Sequence, residues 1–329
     1  MEKSGCDEVL LRKNLLPSEI TDKLLKEKYQ LVGRHSAVKK CRWLHKSLLN
    51  EGSCYKHKFY GVESWRCLQM TPSVAHCTMR CLFCWRVQPS DINTEFDETS
   101  MKVWDDPNTI VEGALEAQRL ILSGYKAHAK RDEKRYLEAL QPRHTAISLA
   151  GEPTLYPELG GLIHEFRRRG FTTFIVTNGT IPKALEELGE EPTQLYVSVC
   201  ASDEKTLRRV CRPHVADAWK KLNRSLELFS SFTCPTVIRL TLVRHLNLRD
   251  AEGYARLISR AEPTYVEPKA YVYVGMSRLR LKFENMPTHG EIMEFGQELS
   301  ELTGYRILDE SVPSRVLLLS RLEKPIKLV

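Results

Sequence analysis

Short apolar segments alternate with amphipathic ones along most of this chain, from residue 68 onward. Six segments have the length and the β-branched or aromatic content of buried strands. These predicted strands are Gln69 to His76, Ala146 to Ala150, Phe171 to Val176, Leu195 to Cys200, Val237 to Val243 and Tyr265 to Val274. Strands alternating with helices indicate parallel βα units with right-handed crossovers. The expected fold class is therefore α/β, a full or partial parallel (β/α)6 barrel.

Helical periodicity fills the intervals between these strands and continues towards the C-terminus. Apolar side chains recur there every three or four residues, as expected for helices with one buried face. Predicted helices cover residues 108–124, 159–169, 181–188, 214–230, 250–261 and 288–302, and a closing pair of strands covers 305–308 and 315–319. On this basis the chain divides into an N-terminal extension (1–67), a βα core (68–287) and a C-terminal helix with closing strands (288–329).

Polar or glycine-containing turns follow four of the predicted strands. Active sites of parallel βα barrels lie at the carboxyl ends of their strands. The four turns are the cysteine-rich loop 77–84, the triplet Gly151, Glu152 and Pro153, the pair Asn178 and Gly179, and the pair Ser202 and Asp203. We therefore expect one functional rim, and the alternative is that these are ordinary turn residues.

Three cysteines in the loop 77–84 form the most specific motif of the sequence. Cys77, Cys81 and Cys84 have C-x3-C-x2-C spacing, and Phe83 precedes the last of them. Thiolates this close can converge on one metal centre, and cysteine is the usual ligand of iron–sulfur clusters. A zinc site would favour paired C-x2-C units and a closed shell of four ligands. No second C-x2-C is present in the sequence, so the motif favours a cluster over zinc.

A second set of cysteines, Cys41, Cys54 and Cys67, is separated by twelve residues at each interval. Three thiolates could again hold a cluster with one open iron. Unrelated cysteines remain an alternative, as does a zinc site completed by one histidine. The candidate histidines are His35, His45 and His57. The remaining cysteines, Cys6, Cys200, Cys211 and Cys234, are interpreted as ordinary buried residues.

Composition restricts the compartment and the class of partner. The 329-residue chain has no apolar run long enough to span a bilayer, and Met1 to Cys6 lacks the apolar core of a signal peptide. We therefore expect a cytoplasmic protein, in which ten cysteines favour metal ligation over disulfides. The formal charge of +7 permits a nucleic-acid partner without requiring one.

Two segments are rich in basic residues. Residues 42–66 interleave Lys and Arg with aromatic rings, a combination that suits phosphate contacts and base stacking. Residues 126–135 contain five Lys or Arg between the first predicted helix and the second strand. This second segment predicts either a phosphate-contacting arm or a solvated helix face.

The motif at Cys77, Cys81 and Cys84 resembles the signature of the radical S-adenosylmethionine (SAM) enzymes. Gly151, Glu152 and Pro153 resemble the motif of that superfamily whose backbone meets the SAM amino group. The resemblance implies a 4Fe–4S cluster whose open iron chelates SAM. It also implies a partial or distorted TIM-like barrel of the radical SAM type. Asn178 and Ser202 would contact SAM.

The upstream cysteines narrow the resemblance to one family. With Cys41, Cys54 and Cys67, nearly the whole chain resembles the archaeal tRNA 4-demethylwyosine synthases of wyosine biosynthesis. That family condenses N1-methylguanosine of phenylalanine tRNA with carbons of pyruvate, and the product is the tricyclic base 4-demethylwyosine. The resemblance implies a second 4Fe–4S cluster on these three cysteines, whose open iron would bind pyruvate.

The resemblance also suggests a catalytic lysine and an electron source. The family has a Schiff-base candidate beside the middle cysteine of the second set, which is Lys56 here, and Lys58 and Lys39 are competing candidates. An external protein or reductant would supply electrons. No dimer signal is visible, so a monomer is expected. Two alternatives stay open: a radical SAM enzyme with another substrate, such as a glycyl-radical activase, and a zinc-organised nucleic-acid-binding module.

Overall fold

The computed structural model describes residues 15–329. Cys6 and the segment Met1 to Cys6, for which no signal peptide is expected, lie outside this part. Within residues 15–329, ten strands form an open sheet in the order β1-β2-β3-β4-β5-β6-β7-β8-β10-β9. The strands are β1 (Gln30–Val32), β2 (Ser36–Val38), β3 (Cys67–Thr71), β4 (His144–Ile147), β5 (Thr172–Thr177), β6 (Gln194–Ser198), β7 (Thr236–Leu242), β8 (Tyr265–Ala270), β9 (Arg306–Ser311) and β10 (Val316–Ser320).

Helices separate most of these strands. In the described part they are α1 (Ser18–Lys26), α2 (Arg42–Leu48), α3 (Tyr55–Tyr60), α4 (Pro107–Ser123), α5 (Glu133–Ala139), α6 (Leu159–Arg168), α7 (Pro182–Glu186), α8 (Glu204–Val210), α9 (Ala218–Glu227), α10 (Ala251–Ala261) and α11 (His289–Thr303). From β3 to β8 each strand is followed by at least one helix, which is the predicted βα alternation. No helix within residues 15–329 is long and apolar enough to cross a bilayer.

Parallel pairs lie in the middle of the sheet and antiparallel pairs at its two ends. Strand β3 pairs with β4, β6 with β7, and β7 with β8, all in parallel. The hairpin of β1 and β2 adds to β3 antiparallel, and β10 adds antiparallel to β8. Every residue of β10 is buried, as expected for a strand covered on both faces.

The chain divides into two compact units. The first contains the residues up to Cys54, Val62–Cys77 and Val87–Phe174, and the second contains Tyr55–Gly61, Thr78–Arg86 and Ile175–Val329. In the first unit, Leu44 and Leu48 of α2 pack with Leu122 of α4 and Tyr136 of α5. The division of the sequence at residues 67 and 287 stays a prediction.

Two predicted elements begin or end where the backbone requires it. The first predicted strand stops at Thr71 instead of His76 because Pro72 has no N–H group to continue the ladder. The helix predicted over 214–230 starts only at Ala218, as α9, because Asp217 adopts a positive φ angle of 53°, which an α-helix does not contain. After Glu227 the chain continues as the 3-10 helix Leu228–Ser231. Helix α8 lies before the predicted range and was not predicted.

Candidate functional site

The first unit brings the Gly151 triplet against the segment that leads into Cys77. The Glu152 N–H donates to the His76 carbonyl at 2.8 Å, and the Cys77 N–H donates to the Glu98 carbonyl at 2.6 Å. A Cβ atom at Gly151 would lie 1.7 Å from the Ser73 carbonyl oxygen, and the φ angle of Gly151 is +71°. Only glycine therefore allows this close approach.

The other two residues of the triplet shape the turn itself. The buried Glu152 side chain accepts hydrogen bonds from the Thr154 N–H at 3.1 Å and the Thr154 hydroxyl at 2.7 Å. Pro153 opens a short 3-10 helix, where its fixed φ angle is compatible with the turn. The triplet is thus a rigid, locally satisfied turn.

Cys81 and Cys84 belong to the second unit. The Cys84 N–H donates to the Cys81 carbonyl at 3.1 Å, so the loop turns back on itself between them. Arg280 holds this turn, donating from Nε to the Leu82 carbonyl at 3.3 Å and from Nη2 to the Cys84 carbonyl. Burial raises the pKa of the Cys84 thiol, while the nearby charges of Arg86 and Arg280 act in the opposite direction.

Asn178 and Ser202 also lie in the second unit, beyond the ends of β5 and β6. Asn178 donates from Nδ2 to the Thr78 hydroxyl at 2.8 Å, and its Oδ1 accepts from the Thr180 hydroxyl at 2.6 Å. Thr78 follows Cys77 in the chain, so Asn178 fixes the start of the cysteine loop. Ser202 is buried, and its hydroxyl lies 3.4 Å from Asp203 Oδ2.

The second cysteine set lies in the first unit. Cys41 caps α2, its sulfur accepting from the Trp43 N–H at 3.2 Å. Burial and then the proximity of Cys54 raise the pKa of Cys41 to about 11. The Cys54 N–H donates to the Ser64 hydroxyl at 2.9 Å. Cys67 is the first residue of β3, and its carbonyl accepts from Gln118.

Two of the histidines considered as zinc ligands are engaged elsewhere. His35 Nδ1 donates to the Pro72 carbonyl at 2.5 Å, and its Nε2 accepts from the Asp105 N–H at 2.9 Å. His45 Nδ1 lies 2.6 Å from the Tyr125 hydroxyl. Across residues 15–329 no group of three His, Cys, Asp or Glu side chains is placed to hold a single metal ion. The nine cysteines of this part form no disulfide.

Lys56, on α3, lies in the second unit at the edge of a buried polar cluster. Its Nζ is 4.1 Å from the centroid of the Tyr196 ring, and the Arg239 guanidinium is 4.5 Å from the same centroid. Lys58 differs: it is exposed, and its Nζ pairs with Asp309 at 2.6 Å. Lys39, in the first unit, pairs with Glu27 at 3.5 Å, and burial lowers its pKa.

One carboxylate organises the cluster. The Glu267 side chain is fully buried and accepts from the hydroxyls of Tyr60 at 2.8 Å, Tyr55 at 3.1 Å and Tyr196 at 3.2 Å. Arg239 Nη2 pairs with Glu267 Oε2 at 3.1 Å. Burial, and then the Glu267 charge, raise the pKa of Tyr60 and Tyr196 well above the usual range. These tyrosines therefore stay protonated at neutral pH.

Sequence reasoning found Lys56 but missed this cluster. Arg239 and Glu267 lie in the middle of mostly buried strands, and the parallel register of β7 and β8 places them opposite each other. A charged residue inside a buried strand is the signal that could have revealed them, because burial of an unpaired charge is costly.

Comparison with known proteins places the chain among characterised families. It matches the Radical SAM superfamily over residues 71–258 and the family described as Wyosine base formation over residues 260–321. It is 51% identical over 310 residues to the S-adenosyl-L-methionine-dependent tRNA 4-demethylwyosine synthase of Pyrococcus abyssi, covering 93% of this chain and 90% of the relative. The Methanocaldococcus jannaschii protein of the same name is 42% identical over 306 residues, covering 93% and 96%.

A solved structure of TYW1 with a lysine–pyruvate adduct bound has the same fold. Its TM-score is 0.85 at 40% sequence identity, and the match covers 96% of this chain and 99% of that one. Together with the superfamily match, it confirms the predicted fold class of a partial parallel (β/α)6 barrel of the radical SAM type. A zinc-organised binding module would give no reason for either match.

Proposed function

The chain belongs to the family of S-adenosyl-L-methionine-dependent tRNA 4-demethylwyosine synthases, and from this membership we propose that it performs the reaction of that family. It is a radical SAM enzyme, so SAM and a 4Fe–4S cluster are its cofactors. The proposed substrates are phenylalanine tRNA carrying N1-methylguanosine, and pyruvate. The observation that carries this proposal is the similarity over almost the whole of both chains.

The SAM cluster is assigned to Cys77, Cys81 and Cys84. They lie within eight consecutive residues and offer three thiols, the donor set that leaves one iron of a cubane open. Gly151, with Glu152 and Pro153, is the proposed backbone site for the SAM amino group, and its contact with the segment before Cys77 supports this role. The chemistry that this cofactor pair supplies is a radical that removes hydrogen from the N-methyl group of the base.

Asn178 and Ser202 are proposed to lie at the same site. Both side-chain polar atoms of Asn178 hold residues of the second unit in place, which supports a role in orienting the loop towards SAM. Ser202 lies beyond the end of the next strand, where a buried hydroxyl suits a contact with the ribose or carboxylate of SAM.

A second 4Fe–4S cluster is assigned to Cys41, Cys54 and Cys67. The approach of Cys41 and Cys54 supports the assignment, since the charge of one thiolate affects the pKa of the other. The raised pKa of Cys41 also means that ligation must release a proton from its thiol. The role of this cluster would be to bind pyruvate. The external reductant, the monomeric state and the cytoplasmic location stay predictions.

Lys56 is the proposed Schiff-base residue. Its amine would attack the ketone carbon of pyruvate and form an imine, the carbonyl oxygen leaving as water with two hydrogens from the amine. The Nζ atom lies over the Tyr196 ring, and this cation–π contact supports the position of the amine beside the buried cluster. Lys58 already pairs with Asp309, which makes it a suitable control.

Borohydride trapping tests this proposal. The anaerobic holoenzyme is incubated with pyruvate, reduced with sodium borohydride, digested and analysed by mass spectrometry. We expect a carboxyethyl group on Lys56, no trapped adduct in Lys56→Ala, and an unchanged yield in Lys58→Ala. Trapping at Lys58 or Lys39, or an unaltered yield in Lys56→Ala, would refute the assignment of Lys56.

A further inference from the structure

Residues 210–214, which begin at the last residue of α8, run beside the cysteine loop in the second unit. Met79 and Pro213 form an antiparallel bridge between the two segments. Three backbone hydrogen bonds extend this pairing, from the Arg80 N–H to the Arg212 carbonyl at 3.1 Å, from the Leu82 N–H to the Val210 carbonyl at 2.9 Å, and from the His214 N–H to the Thr78 carbonyl at 2.8 Å. Cys81 lies between the first two of these bonds on one segment, and Cys211 lies between them on the other.

The side chains of these two cysteines meet, and a third cysteine lies behind them. Cys211 and Cys200 are both buried, 2% and 3% exposed. The Cys211 thiol is hydrogen-bonded with the sulfur atoms of both Cys200 and Cys81. A thiol carries one S–H group, so that of Cys211 can point to only one of these neighbours at a time.

Binding of Cys81 to iron would favour Cys81 over Cys200 as the acceptor of the Cys211 S–H group. An iron-bound thiolate carries negative charge, and a charged acceptor makes a stronger hydrogen bond than a neutral thiol such as Cys200. The backbone N–H groups on either side of Cys81 already donate to carbonyls of residues 210 and 212. The Cys211 thiol is thus a well-placed donor for the Cys81 sulfur.

We propose that the Cys211 thiol donates a hydrogen bond to the cluster-bound sulfur of Cys81 and so raises the reduction potential of the SAM cluster. Hydrogen bonds to ligand sulfurs are one of the factors that set cluster potentials, since they stabilise the more negative, reduced state. Cys211 is a positioning and tuning residue, not a ligand. This inference rests on the proposed ligation of the cluster by Cys81.

The test is the midpoint potential of the SAM cluster in Cys211→Ala, Cys211→Ser and Cys234→Ala. Anaerobic redox titration followed by electron paramagnetic resonance reports only cluster-containing molecules, and the signal that changes when SAM is added identifies this cluster. Cys211→Ala removes the donor, whereas Cys211→Ser keeps an O–H group. Cys234→Ala removes a cysteine of the same unit whose hydrogen bond is to Glu191.

We expect the ratio of reduced to oxidised cluster at a fixed potential to fall about tenfold in Cys211→Ala, a shift of about 59 mV to more negative values for a one-electron couple. Cys211→Ser should keep most of the wild-type potential, and Cys234→Ala all of it. An unchanged potential in Cys211→Ala, or equal shifts in the alanine and serine variants, would overturn the inference. Retention of the SAM-responsive cluster in Cys81→Ala would instead refute the ligand assignment.

Discussion

Glycine at position 151 meets two separate requirements, a left-handed backbone conformation and the absence of a side chain. Its φ angle is +71°, and an added Cβ would lie 1.7 Å from a backbone oxygen that cannot move independently. Gly170 has a similar φ angle of +78° with nothing within 4 Å of an added Cβ. The two glycines therefore separate the cost of backbone conformation from the cost of steric overlap.

This comparison gives the first prediction at the residue scale. Gly170→Ala should destabilise the protein by about 1 kcal/mol, the cost of placing an L-residue in the left-handed region. Gly151→Ala should cost more than about 3 kcal/mol because the loop before Cys77 must also move. Thermal unfolding midpoints of the anaerobic holoenzymes measure both effects, and equal shifts would show that the overlap at residue 151 is relieved.

Tyr196 gives the second prediction, because its ring and its hydroxyl have different roles. Tyr196→Phe keeps the ring that contacts Lys56 and Arg239. It removes the hydroxyl, which lies 2.8 Å from Gln194 Oε1 and 3.2 Å from Glu267 Oε1. Tyr196→Leu removes the ring, and a cation–π contact of about 1–2 kcal/mol corresponds to about a tenfold loss. The rate of borohydride-trapped adduct formation should therefore fall about tenfold in Tyr196→Leu and much less in Tyr196→Phe. The reverse order would assign the role to the hydroxyl.

Residue-scale features were predictable from sequence where they depend on local spacing. The cysteine motif and the Gly151 triplet are read directly, since their partners lie within a few residues or at a strand end. The Glu267 cluster was not predicted, because it joins α3 to β6, β7 and β8 through tertiary packing. The contact of Cys211 with Cys81 was missed for the same reason.

At the scale of elements, the N-terminus of α11 is stabilised by a reciprocal cap. The Thr288 hydroxyl oxygen accepts from the Glu291 N–H at 3.2 Å, and Glu291 Oε2 accepts from the Thr288 N–H at 2.8 Å. Arg244 Nε donates to Glu291 Oε1 at 2.6 Å. These bonds, the one from Arg244 foremost, lower the pKa of Glu291 to about 2.

Protonation of Glu291 at low pH is expected to weaken this cap and lower the stability of the protein. Because the folded-state pKa of Glu291 lies below its ordinary value of 4.5, its contribution is present above pH 4.5 and is lost as the pH falls towards 2. Glu291→Gln should therefore lower the thermal unfolding midpoint at pH 7, by about 2 °C if the loss is about 1 kcal/mol. The difference from wild type should shrink as the pH falls from 4.5. A difference that stays constant down to pH 3 would contradict the assigned ionisation.

Element existence was more predictable than element boundaries. Each of the six predicted core strands overlaps a strand of the structure, because buried strands have a recognisable run of apolar residues in the sequence. The first predicted strand is too long, since the observed strand ends before Pro72. Helices α2, α3, α5 and α8 were not predicted, because short helices rich in charged or aromatic residues have little apolar periodicity. Tertiary contacts, such as Trp65 Nε1 donating to Glu138 of α5 at 2.7 Å, hold these segments in place.

At the scale of the whole molecule, the basic segment 126–135 contains two kinds of charged side chain. Some of them bind other parts of the protein, and others are exposed and can contact a partner. Arg131 pairs with Glu133, and Arg135 stacks 4.7 Å from the Trp65 ring centroid and donates to the Ser47 carbonyl. Lys134 is exposed but lies 4.0 Å from Glu138 Oε1. Lys126 and Lys130 are also exposed. The two lysines, not the two arginines, are therefore the candidates for phosphate contacts.

This division predicts a salt-dependent effect on tRNA binding. The double variant Lys126→Glu/Lys130→Glu should weaken binding and reduce the slope of log affinity against log salt by about 1 for each lost phosphate contact. The variant Lys183→Glu/Lys324→Glu changes the net charge equally at two other lysines and serves as the control. Filter binding across a salt series measures the slopes, and equal slopes in the two variants would indicate a general charge effect.

The central claim is that this chain holds two separate clusters, and the most direct measurement is the anaerobic iron and sulfide content of wild type, Cys41→Ala and Cys81→Ala. The account predicts about eight irons in the wild type and about four in each variant, since each substitution removes one cubane. About four irons in the wild type, lost only in Cys81→Ala, would contradict the second cluster and remove the basis for pyruvate binding at Cys41, Cys54 and Cys67.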